Sequence, residues 1–195
     1  LGYHEMTAIQ AQSLPLILAD KDVIAQGKTG SGKTAAFGLG LLNKLDVKRF
    51  RVQTLVLCPT RELADQVAKE IRRLARATHN VKVLTLCGGM PFGPQIGSLE
   101  HGAHIIVGTP GRVEEHLRKE YLSLADLTTF VLDEADRMLD MGFQDALDDI
   151  IEFMPRKRQT LLFSATFPKK IQSIANRVMN QPEMVKVEST HDNSS

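Results

Sequence analysis

Val23-Ile24-Ala25-Gln26-Gly27-Lys28-Thr29-Gly30-Ser31-Gly32-Lys33-Thr34 is the stretch that decides the architecture. Its apolar opening reads as a buried strand. The string from Gly27 fits G-x-x-x-x-G-K-T, and an apolar run over residues 35–42 follows as a helix. Glycines at Gly27, Gly30 and Gly32 let backbone N–H groups turn inward around phosphate oxygens, and the following helix N-terminus adds unpaired donors and a positive dipole end. Lys33 then supplies a point charge for β and γ phosphates, and Thr34 a hydroxyl for Mg²⁺. A glycine-rich turn with a chance lysine would need no strand before it and no helix after it; both are present.

Outward from this stretch the same alternation repeats. Val23-Ile24-Ala25, Thr54-Leu55-Val56-Leu57, Val81-Lys82-Val83-Leu84, Ile105-Ile106-Val107, Phe130-Val131-Leu132, Thr160-Leu161-Leu162-Phe163 and Val185-Lys186-Val187 read as strands, most of them apolar on both faces. Between them lie helical stripes: Leu63, Val67, Ile71 and Leu74, then Phe143, Leu147, Ile150 and Met154. Asp145, Asp149 and Glu152 fall off the second stripe and read as a solvated face. Strand alternating with helix predicts an α/β domain, a doubly wound and mainly parallel sheet with helices on both faces.

Composition narrows the class. The chain has 195 residues, 24 Lys plus Arg against 23 Asp plus Glu, and a formal net charge of +1. That length suits one domain that buries about 70% of its unfolded surface. Hydrophobic residues at 43% and charged residues at 24% exclude disorder. The longest apolar run is eight residues, against about 20 for a membrane-spanning helix, so no membrane is expected. Cys58 and Cys87 make no disulfide framework and read as buried thiols at strand ends, which makes the cytoplasm the expected compartment. Residues 133–152 hold eight acids and one base, Arg137, so the remainder carries +8 and has charge enough for a basic face.

The strand ends carry the chemistry. Phe130-Val131-Leu132-Asp133 places an acid where a phosphate-bound Mg²⁺ needs a carboxylate, reached through water. Glu134 beside it can orient and deprotonate an attacking water. In a parallel sheet all C-terminal strand ends share one rim, where ligands bind. Pro59-Thr60-Arg61 follows the second strand, Gly88-Gly89 the third, Thr109-Pro110-Gly111-Arg112 the fourth and Ser164-Ala165-Thr166 the sixth. Thr60 can cap a helix, and Pro110-Gly111 can simply turn. Together these groups form a polar rim suited to a long anion as well as ATP, with backbone N–H, hydroxyl and guanidinium groups aimed at phosphate. Few aromatics lie on it, so base stacking is not the expected mode.

Asp133-Glu134-Ala135-Asp136 spells DEAD, Ser164-Ala165-Thr166 spells SAT, residues 59–64 read PTRELA and residues 109–112 read TPGR. The opening Gly2-Tyr3-His4-Glu5-Met6-Thr7-Ala8-Ile9-Gln10 is similar to the Q motif. Over residues 1–187 the chain resembles the first RecA-like domain of the DEAD-box RNA helicases. Cys87-Gly88-Gly89-Met90-Pro91-Phe92-Gly93 and residues 133–143 look most like the bacterial DbpA type. That type acts on large-subunit ribosomal RNA in ribosome assembly and takes its site specificity from a separate C-terminal RNA-binding domain.

The resemblance implies a RecA-like P-loop NTPase domain with ATP and Mg²⁺ as cofactors. Lys33, Asp133 and Glu134 would be catalytic. Thr7, Gln10 and Gly27, Lys28, Thr29, Gly30, Ser31, Gly32, Lys33 and Thr34 would hold the nucleotide, Gln10 by the adenine edge with Thr7 in support. Thr34 and Asp133 would serve the metal. Pro59, Thr60, Arg61, Gly88, Gly89, Thr109, Pro110, Gly111 and Arg112 would hold the RNA backbone. Ser164 and Thr166 would bond Asp136 and couple nucleotide state to domain closure. Two departures stand out. Only nine residues precede Gln10, too few for the family's upstream aromatic, and Gly27-Lys28 replaces the usual Ala-Gln, with Lys28 expected to face solvent. Residues 188–195 read as a polar linker toward a second RecA-like domain of the same polypeptide. Nothing after Thr166 resembles that domain's HRxGRxxR motif, and the domain alone is expected to be monomeric and nearly inactive. The alternative to unwinding is an ATP-gated RNA clamp; a transporter ATPase would show an LSGGQ-like string, which this sequence lacks.

Overall fold

The computed structural model describes residues 7–28, 32–78 and 80–187. The start of the Q-motif string, Thr29-Gly30-Ser31 and the polar tail 188–195 lie outside the described residues.

Chain order gives α1 (Ala8–Leu18), β1 (Val23–Gln26), α2 (Lys33–Lys44), β2 (Thr54–Leu57), α3 (Arg61–Leu74), β3 (Val83–Leu86), α4 (Phe92–His101), β4 (Ile105–Gly108), α5 (Pro110–Arg118), β5 (Thr129–Leu132), α6 (Ala135–Asp140), α7 (Gln144–Glu152), β6 (Gln159–Ser164), α8 (Lys169–Val178) and β7 (Glu183–Lys186). The seven strands form one sheet in the order β3-β4-β2-β5-β6-β1-β7. Every pairing is parallel, so the sheet is parallel throughout rather than mainly so.

Two buried clusters flank the sheet, sorted by the two-residue period of the strands. Val56, Val131, Leu161 and Phe163 meet Ile9 and Ile17 of α1, Phe37 and Leu41 of α2 and Val67 and Ile71 of α3. Leu55, Leu57, Phe130 and Leu132 meet Val113 and Leu117 of α5, Leu147 and Ile150 of α7 and Ile171 and Ile174 of α8. This is the doubly wound arrangement predicted, with the residue stripes of α3 and α7 inward. On the acidic face of α7, Asp145 and Glu152 are exposed and Asp149 pairs with Arg118, while the neighbouring Asp148 pairs with Arg177, so that face is solvated and partly ion-paired.

β1, β4, β5 and β6 extend the apolar runs by one residue at one or both ends, and two strands, β3 and β7, are shifted along the chain. β3 runs from Val83 instead of Val81, because its partner β4 begins at Ile105 and pairs with Val83. β7 begins two residues before the apolar run, since Glu183 takes the register position opposite Val23 of β1. Burial marked Val81 and Val185, whereas backbone pairing sets where a strand begins.

The β3–β4 junction depends on a missing side chain. A Cβ at Gly108 would lie 2.5 Å from the Leu86 carbonyl oxygen and 2.6 Å from Val113 Cγ2. Backbone cannot yield as a side-chain tip can, so Gly108→Ala should cost at least about 1–3 kcal/mol through overpacking. Urea unfolding would measure it; a variant as stable as the parent would show that the two strands separate freely.

Candidate active site and rim

α2 starts at the end of β1, and its first residue carries the lysine. Lys33 Nζ stands 2.7 Å from Asp133 Oδ1 and 3.8 Å from Glu134 Oε2. Asp133 follows β5 and is wholly buried, while Lys33 is 7% exposed. Burial pushes the Asp133 carboxyl above the usual carboxylate range, and the Lys33 ammonium opposes that rise. Among the described residues Oδ2 of Asp133 has no hydrogen-bond partner. Buried carboxylate oxygens are normally satisfied, so an unpartnered one on a carboxylate whose other oxygen meets Lys33 fits a group that binds there.

Glu134 adopts φ 51° and ψ 53°, a left-handed conformation rare outside glycine. It lies between two cations, with Arg137 Nη1 3.5 Å from Oε1. The sequence reading missed Arg137, although its i+3 spacing from Glu134 on a helix was the available signal.

Gly32 adopts φ +83°, and a Cβ there would lie 2.7 Å from Thr7 Oγ1 and 3.1 Å from Gln10 Oε1. The Q-motif pair therefore packs directly on the phosphate loop. Thr7 caps α1 reciprocally: the Thr7 N–H donates to Gln10 Oε1 (2.9 Å), and the Gln10 N–H donates to Thr7 Oγ1 (3.3 Å). Gln10 was expected to offer an adenine both a donor and an acceptor. Its oxygen is committed to Thr7, so Nε2 is the amide group left for a base. Gly32, Lys33 and Thr34 line a cleft of about 290 Å³ against Leu63, Gln66 and Glu70 of α3. Lys28 is exposed, as expected.

Among the described residues no group of three or more His, Cys, Asp or Glu side chains could cage a metal. Mg²⁺ needs no such cage: it keeps waters and takes one or two protein oxygens beside substrate phosphates. Asp133, buried beside Lys33, and Thr34, the next residue of α2 and part of the cleft lining, supply oxygens of the kind that need calls for.

The remaining strand ends line up as the sequence suggested. Thr60 caps α3, accepting from the Leu63 N–H at 3.2 Å. Arg61 is exposed, with Nη1 3.2 Å from Met90 Sδ. Pro110 occupies the first turn of α5, where its missing N–H costs nothing, and Gly111 is exposed beside it. Thr109 instead accepts from the Gly88 N–H at 3.0 Å, tying the third strand end to the fourth. Gly89 is exposed at φ +79°. Arg112 departs from expectation: its guanidinium turns inward, donates to the Met90 carbonyl (2.7 Å) and Gln95 Oε1 (3.1 Å), and pairs with Glu115 (3.2 Å).

Asp136, Ser164 and Thr166 do meet. The Asp136 N–H donates to Ser164 Oγ (3.2 Å), while Asp136 Oδ2 accepts from the Thr166 N–H (3.1 Å) and hydroxyl (2.8 Å). Cys58 and Cys87 are buried free thiols. Burial pushes both thiols up, Cys87 to about 11, which disfavours the reactive thiolate form.

The sequence model of the DEAD/DEAH box helicases matches residues 7–174, which include the phosphate loop, the acidic pair and the SAT string. The chain belongs to this family. Its sequence is 63% identical over 190 residues to the ATP-dependent RNA helicase DbpA of Escherichia coli, covering 97% of this chain and 42% of that protein. It is 50% identical over 187 residues to the DEAD-box ATP-dependent RNA helicase CshA of Geobacillus kaustophilus, covering 96% of this chain and 40% of that protein. The crystal structure of a DEAD box protein from the hyperthermophile Methanococcus jannaschii superposes with a TM-score of 0.91 at 39% identity, over 96% of this chain and 51% of that one. This DEAD-box domain thus has the family's RecA-like fold and spans less than half the length of these two curated relatives. Its identity of 63% to DbpA against 50% to CshA supports the DbpA type. No described helix is long and apolar enough to cross a membrane.

Proposed function

We propose that this chain is the ATP-binding domain of an ATP-dependent RNA helicase core. The buried Lys33–Asp133 pair, with Glu134 beside it at the sheet's C-terminal rim, carries the proposal. Amides of the phosphate loop and the α2 N-terminus would take the β and γ phosphates, with Lys33 exchanging part of its Asp133 contact for phosphate oxygen. Thr34 and Asp133 would hold Mg²⁺, which when bound neutralises charge on the transferring phosphate. Glu134 would orient the attacking water and accept its proton. Gln10 Nε2 would donate to the adenine edge.

RNA would lie along Pro59, Thr60, Arg61, Gly88, Gly89, Thr109, Pro110, Gly111 and Arg112, held mainly by phosphate and sugar. With a second RecA-like domain of the same polypeptide, Asp136, Ser164 and Thr166 would couple hydrolysis to duplex unwinding. Resemblance to the DbpA type supports structured ribosomal RNA as the substrate and ribosome assembly, in the cytoplasm, as the setting.

Glu134→Gln tests this reading. In the two-domain protein it should bind nucleotide like the parent and hydrolyse about 10²–10⁴-fold more slowly, the usual worth of a general base. RNA-stimulated phosphate release would measure the rate, and hydrolysis at the parent rate would remove Glu134 from the chemistry.

A further inference from the structure

The polar groups behind the rim converge on one amide. Gln95 of α4 is buried; its Nε2 donates to the Cys87 carbonyl (3.2 Å), and its Oε1 accepts from Arg112 Nη1 at 3.1 Å and from His116 Nε2 at 2.7 Å. A guanidinium can only donate and a carbonyl only accept, so these neighbours fix the amide's orientation. His116 Nε2 must therefore carry the proton. Its Nδ1 is a bare acceptor in the neutral ring and has no partner among the described residues.

His116 is fully buried and stacks on Phe92, with ring centroids 4.2 Å apart and planes 6° from parallel. The charged groups acting on it are Arg112, Glu115 and Lys119, all from its own chain segment. From α4 it meets the uncharged Phe92 and Gln95, and beyond α5 the Tyr121 ring at 6.3 Å. Burial first, then Arg112, hold the imidazole pKa below its ordinary value.

We propose that Gln95 and His116 are positioning residues that hold Arg112 and residues 87–90 in the shape with which the rim takes an RNA backbone. This rests on the RNA reading above. Three bonds shape the segment: Gln95 draws the Cys87 carbonyl inward, Arg112 draws the Met90 carbonyl inward, and Thr109 accepts from the Gly88 N–H. Two carbonyl oxygens that would repel a phosphate are thereby engaged by protein. The Thr109 O–H and the Gly89 N–H keep their protons for a phosphate, since neither donates elsewhere among the described residues.

Protonating His116 would add a buried N–H without an acceptor and a second cation beside Arg112. The clamp is intact above the depressed pKa and loosens as pH falls through it. Acid ordinarily strengthens nucleic-acid binding by adding positive charge; this rim should weaken instead.

The test compares the parent chain with Gln95→Leu, Gln95→Glu and His116→Phe. Single-stranded RNA affinity is read by fluorescence anisotropy at low salt from about pH 8 to about pH 5.5, the range of a histidine. Hydrogen exchange reads the Gly88 amide, and adenine nucleotide affinity reports the neighbouring site. Gln95→Leu should bind RNA about tenfold more weakly, because a buried donor and acceptor lose their partner. Its Gly88 amide should exchange faster while nucleotide binding stays at the parent value. The parent should lose RNA affinity toward acid pH, and His116→Phe should lose that dependence. Gln95→Glu still accepts from both donors but favours the imidazolium, so the acid loss should move to higher pH. Parent-like affinity, exchange and pH profile in Gln95→Leu and His116→Phe would overturn the clamp. A parent chain that binds no RNA, with Gly88 exchange still faster in Gln95→Leu, would overturn the RNA reading and leave only the clamp standing.

Discussion

Lys33→Ala is expected to abolish Mg·ATP binding and to destabilise the fold with it. Asp133 is wholly buried, and Lys33 at 2.7 Å is the cation within ion-pairing distance of it among the described residues. Breaking a buried pair by removing one partner costs about 3–5 kcal/mol, because the remaining charge stays uncompensated. On the ligand side, losing a desolvated charge contact costs about 2–5 kcal/mol, roughly 30- to 5,000-fold in affinity. The two losses separate by pH. Burial already holds the Asp133 carboxyl above its ordinary range, and Lys33 limits the rise. Without Lys33 the folded carboxyl should titrate higher still, while in the unfolded chain it ionises near ~3.9. The unfolded state then releases the proton first, so ionisation favours unfolding as pH rises through that window. Thermal melts should show Lys33→Ala recovering stability in acid, and Lys33→Ala/Asp133→Asn recovering it at neutral pH without regaining nucleotide. A single variant as stable as the parent at neutral pH would mean that Asp133 is neutral in the resting protein.

The sequence disclosed the groups that bear chemistry in consecutive strings, because a strand end followed by a turn fixes where such a string points. Lys33, Asp133 and Glu134 come from separate segments, yet parallel topology carries all three to one rim. The strings holding Asp136, Ser164 and Thr166 lie at strand ends for the same reason, while their mutual bonding is implied by the resemblance to the DEAD-box helicases. What stayed hidden are contacts between helices. Nothing in the residues around Gln95 or His116 marks them, since each meets its partner across α4 and α5 rather than along one element. The same gap explains Arg112, whose motif points at RNA while its guanidinium is drawn back onto Met90 and Gln95. Strand limits slipped at β3 and β7 because edge strands take their length from one neighbour's register, and burial alone does not report register.

The isolated 195-residue chain should hydrolyse ATP at least about 10³-fold more slowly than a two-domain protein with RNA. The number follows from what an arginine finger contributes to phosphoryl transfer, about 10³ to 10⁵ in rate. Here Lys33 is held by Asp133, and Arg137 stands 3.5 Å from Glu134 within the same helical turn, engaged with the group that would activate water. Arg112 is tied to Met90, Gln95 and Glu115. Each of these cations is already engaged by a partner within this domain. The cleft at Gly32, Lys33 and Thr34 has α3 as its near wall, and water entering from the open side would weaken each electrostatic contact within it. A second RecA-like domain closing on that side would supply both the cation and the exclusion of water. The chain spans 42% of the length of E. coli DbpA, which leaves ample room for such a domain in that relative. Steady-state phosphate release decides the matter, measured for this chain with and without RNA and for the chain mixed with a separately produced second domain. Activity that appears only on mixing supports closure; RNA-stimulated turnover by the 195 residues alone, at the rate of the two-domain protein, would show that the γ phosphate is stabilised from within this domain.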